Sequence, residues 1–136
     1  MRVLVDTNVI MDYIANREPY VSQAYKIIEL CVMKIIDGCM SAHTVLNLFY
    51  ILRKDLSVAQ RKKILSQLCR VLTVINIDEV KIANALKNNS FDDIEDCLQD
   101  ECARSFQADY LITRNVKDFS GGKIKAIEPV EFLLKL

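Results

Sequence analysis

The sequence predicts an α/β fold, in which a central parallel β-sheet is covered by helices on both faces. Short segments rich in Val, Leu and Ile alternate with segments whose apolar residues recur at helical spacing. The connections between the short segments are long enough for the crossovers that parallel strands require. We therefore expect about five strands, at residues 2–5, 39–42, 71–75, 109–113 and 123–127.

The composition favours a single domain over residues 1–136. The chain is 51% hydrophobic and holds only 3 Gly and 2 Pro, which is typical of a chain rich in regular elements. No apolar run approaches the roughly 20 residues of a membrane span. The 5 cysteines form no C-x-x-C pair, and we expect them to be small buried side chains in a reducing compartment. A cytoplasmic protein with no membrane partner is expected.

Charge is segregated along the chain although the formal net charge is zero. Residues 53–70 hold six basic side chains and one acidic one, whereas residues 90–101 hold six acids and no base. Ser57 is expected to cap a helix with Arg61, Lys62 and Lys63 on its exposed side and Ala59 toward the core. Nucleic-acid binding depends on such local charge. The candidate contacts are Arg53, Lys62 and Lys63.

The first predicted strand ends at Asp6, and helices follow it. Thr7 and Asn8 are expected to cap the first helix, which extends to about residue 16, and a second helix starts near residue 19. A later helix, at residues 45–52, is apolar almost all round and is therefore expected to be buried on most sides. Asn47 lies on this helix, and a buried amide needs a hydrogen-bond partner. An internal bridge and a role in a site both remain open for Asn47.

The second half of the chain contains an unusual acidic helix at about residues 91–107. Ile94 and Cys97 belong to its expected core-facing stripe, while Asp93, Asp96 and Asp100 are expected to line an adjacent face. Like charges at this spacing repel, and a cation would offset the repulsion.

Carboxylates are therefore expected at one edge of the sheet. Asp6 follows the first strand, Asp118 lies shortly after the strand at 109–113, and the acidic helix presents Asp96. Ligands bind open α/β sheets at the carboxyl ends of the strands. Hard divalent cations prefer oxygen ligands, and the chain has no Cys/His set that would favour zinc.

Four stretches of the sequence, in this order, resemble the PIN-domain family over essentially the whole chain. They are Val3-Leu4-Val5-Asp6-Thr7-Asn8-Val9, Ser41-Ala42-His43-Thr44 with the helix carrying Asn47, Phe91-Asp92-Asp93-Ile94-Glu95-Asp96-Cys97-Leu98-Gln99, and Leu111-Ile112-Thr113-Arg114-Asn115-Val116-Lys117-Asp118-Phe119. The resemblance implies a three-layer α/β/α sandwich and a ribonuclease that depends on Mg²⁺ or Mn²⁺. Bacterial members of this size resemble VapC-type toxins, which cleave RNA and are held inactive by an antitoxin. A homodimer is also implied.

The resemblance also assigns roles to particular residues. Asp6, Asp96 and Asp118 match the family's metal-binding acids, and together with Asn47 they are the expected catalytic set. Thr113 and Asn115 would support that edge of the sheet. Asp93 and Asn47 would position water.

Two departures from the family pattern leave a second function open. Asn47 and Asn115 stand where many members have a glutamate and an aspartate, and an amide cannot act as a charged ligand or general base. The alternative is a PIN-like module that binds RNA or protein with little or no catalysis. A phosphatase of the haloacid-dehalogenase type is less favoured, because Asn8 occupies the position of its second aspartate.

Overall fold

Strand β1 lies at the centre of the sheet. The computed structural model describes residues 1–136, and its five parallel strands have the order β3-β2-β1-β4-β5. Their bounds are β1 Arg2–Val5, β2 Asp37–Ser41, β3 Thr73–Ile75, β4 Tyr110–Ile112 and β5 Ala126–Ile127. Leu4 lies opposite Cys39 of β2 and Leu111 of β4. The chain therefore builds outward from β1 on one side and later returns to β1 on the other.

Seven α-helices connect and cover the strands. Their bounds are α1 Thr7–Ile14, α2 Val21–Val32, α3 Ala42–Ile51, α4 Val58–Val71, α5 Glu79–Lys87, α6 Ile94–Ser105 and α7 Pro129–Leu133. Short 3₁₀ helices lie at Leu52–Lys54 and Val116–Phe119. None of the helices has the length and apolar character that crossing a bilayer demands.

The two faces of the sheet carry separate apolar cores. Val3 and Val5 belong to a cluster that includes residues of α1, α2, α4 and α7. Leu4 points to the other face and packs in a second cluster with residues of α6. Successive side chains of a strand point to opposite faces, and all three side chains are fully buried. The predicted three-layer α/β/α architecture is therefore confirmed.

The strands lie where the sequence places them, but several of them are shorter than predicted. Residues 71 and 72 were expected to start β3, yet α4 continues to Val71 and Leu72 is its C-cap. Leu72 is almost completely buried, so the apolar character of this segment reflects helix packing as well as strand formation. Strand β2 begins two residues earlier than expected, at Asp37.

The composition of helix α3 predicts burial on most sides, and the structure shows that this prediction is wrong. Only Thr44 and Leu48 are buried, while Leu46 is 70% and Tyr50 is 61% exposed. Three further predictions from helical spacing are wrong. Arg61 is buried rather than exposed, Ala59 is exposed, and Ile94 is 44% exposed.

Arg61 is buried because its guanidinium group has partners on α3. It lies 4.3 Å from the centre of the Phe49 ring, and Nη1 donates a 2.8 Å hydrogen bond to the Phe49 carbonyl oxygen. An arginine stem can cover apolar surface while its planar head stacks on an aromatic ring.

The cysteines are all free thiols, and four of the five are buried. Burial raises the pKa of the Cys31 thiol to about 12 and that of Cys102 to about 11, so these thiols stay protonated and act as small apolar side chains. Cys69 differs from the expectation, because it is exposed on α4.

A buried ion pair joins α1 to the segment after β4. Asp12 is only 1% exposed, and it accepts hydrogen bonds from Arg114 Nε at 2.6 Å and Arg114 Nη2 at 3.2 Å. The Arg114 guanidinium group also lies 4.0 Å from the centre of the Tyr20 ring. A planar guanidinium group suits this bidentate and stacked arrangement. Arg114 thereby fixes the backbone that follows Thr113.

We predict that Arg114→Met destabilises the fold by about 3–5 kcal/mol, because the buried Asp12 carboxylate loses its main partner. Urea unfolding monitored by circular dichroism measures the effect. The control is Arg17→Met, because Arg17 is exposed and lies 3.9 Å from the same carboxylate, so we expect a loss below about 1 kcal/mol. Equal stabilities of the two variants would contradict the assignment.

Candidate functional site

A polar cleft opens at the carboxyl end of β1, where the chain direction across the sheet reverses between β1 and β4. Its volume is about 260 Å³, and only two of its twelve lining residues are hydrophobic. The lining residues are Asp6, Thr7, Asn8, Met11, Arg17, His43, Asn47, Ile51, Glu95, Asp96, Gln99 and Asn115. Open α/β sheets bind ligands at such a switch point. The predicted sheet edge is therefore where the cleft lies.

Asp6 is the N-cap residue of α1 and lies at the base of the cleft. Its Oδ1 accepts hydrogen bonds from Thr7 N and Gln99 Nε2, both at 2.8 Å. Its Oδ2 accepts from Thr113 Oγ1 at 2.8 Å and from Asn8 Nδ2 at 3.3 Å. Asp6 itself provides the cap that was predicted for Thr7 and Asn8. Four donors thus hold a carboxylate that is only 8% exposed.

Strand β4 supplies the support on one side of Asp6. The Asp6 N–H donates to the Ile112 carbonyl oxygen at 2.9 Å, which brings Thr113 beside the carboxylate. Thr113 Oγ1 also accepts from Asn8 Nδ2 at 3.2 Å and from Asn115 N at 3.0 Å. Thr113 therefore lies in direct contact with Asp6 at the carboxyl end of β4.

Threonines and Gln99 support Asp6 on the other side. Thr44 is fully buried, and its Oγ1 lies 2.9 Å from Thr7 Oγ1 and 3.1 Å from Ser41 Oγ. Gln99 Nε2 contacts Thr44 Oγ1 at 3.2 Å as well as Asp6. The network joins α1, α3 and α6 across the carboxyl ends of the strands. Gln99 Oε1 is buried within it and has no hydrogen-bond partner.

Asp96 is the second carboxylate of the cleft. Burial and the nearby negative charges of Asp93, Asp6, Asp118 and Glu95 raise the pKa of Asp96 from 3.8 to about 7. Both causes disfavour the charged form of the group. Asp96 therefore lies in a field of like charge that a bound cation would reduce.

Asp93 and Asp100 do not share a face of α6 with Asp96 in the way that was predicted. Asp93 is the N-cap of α6, and its Oδ1 accepts from Glu95 N at 2.7 Å. Asp100 is buried away from the cleft, where it accepts from Lys123 N at 3.0 Å and Ile124 N at 3.1 Å. These backbone partners make Asp100 a structural anchor for the segment before β5.

The two amides and Asp118 have different positions. Asn47 and Asn115 both line the cleft. Asp118 is exposed on the 3₁₀ helix after β4 and does not line it, although it is near enough to raise the pKa of Asp96. No three Asp, Glu, His or Cys side chains are grouped so that they could hold a metal ion. Of the three predicted metal ligands, Asp6 and Asp96 line the cleft and Asp118 lies outside its lining.

The chemistry of the cleft nevertheless fits a hard divalent cation. Asp6 and Asp96 supply carboxylate oxygens, and Asn47, Asn115 and Gln99 have amide oxygens in the same cleft. Gln99 Oε1 is a buried oxygen to which no group of the chain donates a hydrogen bond. Mg²⁺ and Mn²⁺ prefer oxygen ligands of these types.

The basic residues predicted to bind nucleic acid lie outside the cleft lining. Lys62 and Lys63 are exposed on α4, and Arg53 stacks 3.7 Å from the Tyr50 ring centre after α3. Arg17 lies in the cleft instead. No pattern in the sequence distinguishes Arg17, because it lies in the short segment between α1 and α2.

Sequence reasoning also missed most of the polar network around Asp6. Gln99 and Thr44 are each an uncharged polar residue in a largely acidic or apolar segment, and Asn8 was expected only to cap α1. One pattern in the sequence could have indicated Gln99. It lies three residues after Asp96, and this spacing places the two side chains on the same face of a helix. His43 lines the cleft from the first turn of α3, with Nε2 3.4 Å from Glu95 Oε1.

We predict that Asp93→Asn lowers the pKa of Asp96, because it removes a nearby negative charge while asparagine still caps α6. Carbon-13 NMR titration of the carboxyl groups measures the change. In the wild type Asp96 should titrate near pH 7. The control is Asp92→Asn, which removes an exposed charge that is not among those raising the pKa of Asp96. Titration of wild-type Asp96 at its ordinary value of 3.8 would contradict the account.

Comparison with solved structures finds the same fold in complexes of toxin and antitoxin proteins. VapBC2 from Rickettsia felis bound to a DNA fragment from its promoter matches with a TM-score of 0.67 and 18% identity, over 94% of this chain and 98% of that one. VapBC-1 from nontypeable Haemophilus influenzae matches with a TM-score of 0.66 and 24% identity, over 96% and 99%. A toxin-antitoxin complex from Klebsiella pneumoniae matches with a TM-score of 0.69 and 24% identity, over 93% and 97%.

The sequence itself matches one family. No curated protein matches the chain in sequence. A family model described as the PIN domain matches residues 2–117. This range includes all the residues that line the cleft and strand β1, whose side chains belong to both apolar cores. This chain belongs to the PIN domain family.

Proposed function

We propose that this PIN domain is an endoribonuclease that depends on Mg²⁺ or Mn²⁺, hydrolyses RNA phosphodiester bonds and acts as the toxin of a toxin-antitoxin pair. The observation that carries the proposal is the cleft, where Asp6 and Asp96 face the same polar space at the switch point of a PIN domain. The similarity to chains from toxin-antitoxin complexes supports the toxin part.

Asp6 and Asp96 would hold the cation, and Asp118 would face it from the rim of the cleft. When bound, a divalent cation lowers the pKa of a water ligand and stabilises charge on phosphate oxygens. The four hydrogen bonds to Asp6 hold that carboxylate in a fixed position. Asn47, Asn115 and Asp93 would orient water, because amides and carboxylates accept hydrogen bonds from it.

RNA is expected to approach along the cleft through its phosphates. Arg17 is the one Arg or Lys in the cleft lining, and a guanidinium group can bind a phosphate with two hydrogen bonds. Arg53, Lys62 and Lys63 would contact the RNA backbone farther from the acidic centre.

The proposal includes an antitoxin, and an apolar groove between α2 and α4 is its proposed docking surface. The groove has a volume of about 320 Å³ and is lined mainly by hydrophobic residues, among them Tyr13, Tyr25, Ile28, Val32, Ile64 and Val71. Tyr25 and Val32 are more than half exposed. An amphipathic helix of a small antitoxin fits such a groove, because its apolar stripe covers exposed side chains of this kind.

A homodimer belongs to the same proposal. The exposed apolar side chains Leu46 and Tyr50 of α3 could form the contact between the two copies. Their burial against a partner would be favourable, because it removes apolar surface from water.

A second candidate is a binding module without catalysis. The observations that favour it are the amides Asn47 and Asn115 in the cleft and the absence of a three-carboxylate group. Fewer formal charges hold a cation less tightly. The two candidates differ in whether purified protein cleaves RNA.

We predict that the protein cleaves RNA with Mn²⁺ or Mg²⁺ and that Asp96→Asn lowers the rate about 100-fold or more, since a cation contributes several kcal/mol of charge stabilisation. Asp96→Asn is preferred to Asp6→Asn because it relieves repulsion and breaks no side-chain hydrogen bond in the network. The measurement is cleavage of a labelled RNA by purified protein.

Asp92→Asn serves as the control, because it makes the same charge change in an exposed residue of the same segment. We expect it to keep wild-type activity. Equal rates for the wild type and Asp96→Asn, or no cleavage by the wild type with either cation, would favour the binding module.

We predict that Val32→Glu weakens antitoxin binding about tenfold or more, because it places a charge in the apolar groove. The probe is the purified small protein encoded by the reading frame adjacent to this one, and calorimetry measures its affinity. Leu134→Glu is the control, because Leu134 is 84% exposed near the end of the chain and outside the groove. Absence of any such reading frame, or equal affinities of both variants, would contradict this part of the proposal.

A further inference from the structure

The Gln99 side chain has one amide atom satisfied and the other unsatisfied. It is only 4% exposed, and Nε2 donates to Asp6 Oδ1 at 2.8 Å and to Thr44 Oγ1 at 3.2 Å. An ionised carboxylate can only accept hydrogen bonds, so the amide nitrogen has to face Asp6. Without a cation, this contact sets the orientation of the amide. Gln99 Oε1 consequently points away from Asp6 and is buried with no donor.

A buried carbonyl oxygen without a hydrogen-bond partner is destabilising. No side chain or backbone group of the chain donates to Gln99 Oε1. The Gln99 side chain lines the cleft together with Asp6 and Asp96. Amide oxygens are common ligands of hard divalent cations, so a cation in the cleft would give Oε1 a partner once the amide turns toward it.

Asp6 adds a second constraint. Its two oxygens already accept four hydrogen bonds, so they have no free lone pair for a cation. Three of those donors cannot move away easily. Thr7 N belongs to the backbone, and Thr113 Oγ1 and Asn8 Nδ2 are held by a hydrogen bond to each other and by the bond from Asn115 N to Thr113 Oγ1. Gln99 Nε2 is the remaining donor, and rotation of its amide about the last side-chain bond exchanges the nitrogen for Oε1.

We propose that Gln99 is a further ligand of the divalent cation through Oε1. Without the cation its N–H group occupies Asp6 Oδ1, and with the cation the amide turns so that both Asp6 Oδ1 and Gln99 Oε1 face the metal. Thr44 Oγ1 can donate as well as accept, so it can remain bonded to the amide in either orientation. This inference rests on the metal-dependent activity proposed above.

The test measures binding of Mn²⁺ alone by calorimetry, without RNA. Gln99→Met keeps the size of the side chain but removes both amide atoms, and we expect its affinity to fall about tenfold or more. Gln99→Glu supplies a charged oxygen, and we expect its affinity to rise about tenfold while its thermal stability without Mn²⁺ falls, because the new carboxylate repels Asp6. Gln67→Met is the matched control, since Gln67 is exposed on α4.

A purely structural role for Gln99 makes a different prediction. In that case Gln99→Glu would be destabilised with no gain in Mn²⁺ affinity. If a variant does not fold alone, circular dichroism with added Mn²⁺ decides: recovery of the fold by Gln99→Glu but not by Gln99→Met supports the inference. The wild type gives an independent readout, because Mg²⁺ should shift the NMR signals of the Gln99 side-chain amide.

The outcomes separate this inference from the proposed function. If the wild type binds Mn²⁺ in a manner that depends on Asp96, while both Gln99 variants bind with unchanged affinity, the role of Gln99 is wrong and the nuclease proposal stands. If the wild type binds no Mn²⁺, both are wrong.

Discussion

The hydrogen bonds to the Asp6 carboxylate are the interaction on which the site depends. They join residues of α1, α6 and the end of β4 to one side chain at the end of the central strand. Each partner has a further contact, so displacement of one would disturb the others. The network therefore sets the relative position of the three elements that form the cleft. The buried pair of Asp12 and Arg114 joins α1 to the segment after β4 as well.

This arrangement also explains the electrostatics of the cleft. The Asp6 carboxylate accepts hydrogen bonds from four donors, whereas Asp96 has no such donors. Burial and acidic neighbours raise the pKa of Asp96 to about 7. A fold gains nothing from such crowding of like charge. A bound cation would turn the repulsion into attraction. The acidic cleft, the unpartnered Gln99 Oε1 and the PIN family match thus support the same proposal.

Much of the fold and part of the site could be predicted from the sequence. The apolar segments gave the five parallel strands, and the placement of Asp6 and Thr113 at their ends followed because parallel strands end at a common edge. Helical spacing was less informative, since it could not tell that Arg61 stacks on Phe49 or that Leu46 faces solvent. It also grouped Asp100 with Asp96, because backbone N–H groups that anchor a carboxylate leave no mark in the sequence. The position of Gln99 beside Asp6 could not be predicted for the same reason, because it depends on contacts with residues distant in the chain.

The central claim is that Asp6 and Asp96 hold a divalent cation in the cleft at the end of β1. A crystal structure of the protein soaked with Mn²⁺, with anomalous difference density, tests it most directly. The account predicts an anomalous peak between these two carboxylates, with the Gln99 amide oxygen facing it. A cleft without a peak at saturating Mn²⁺, or a peak only elsewhere on the surface, would contradict it.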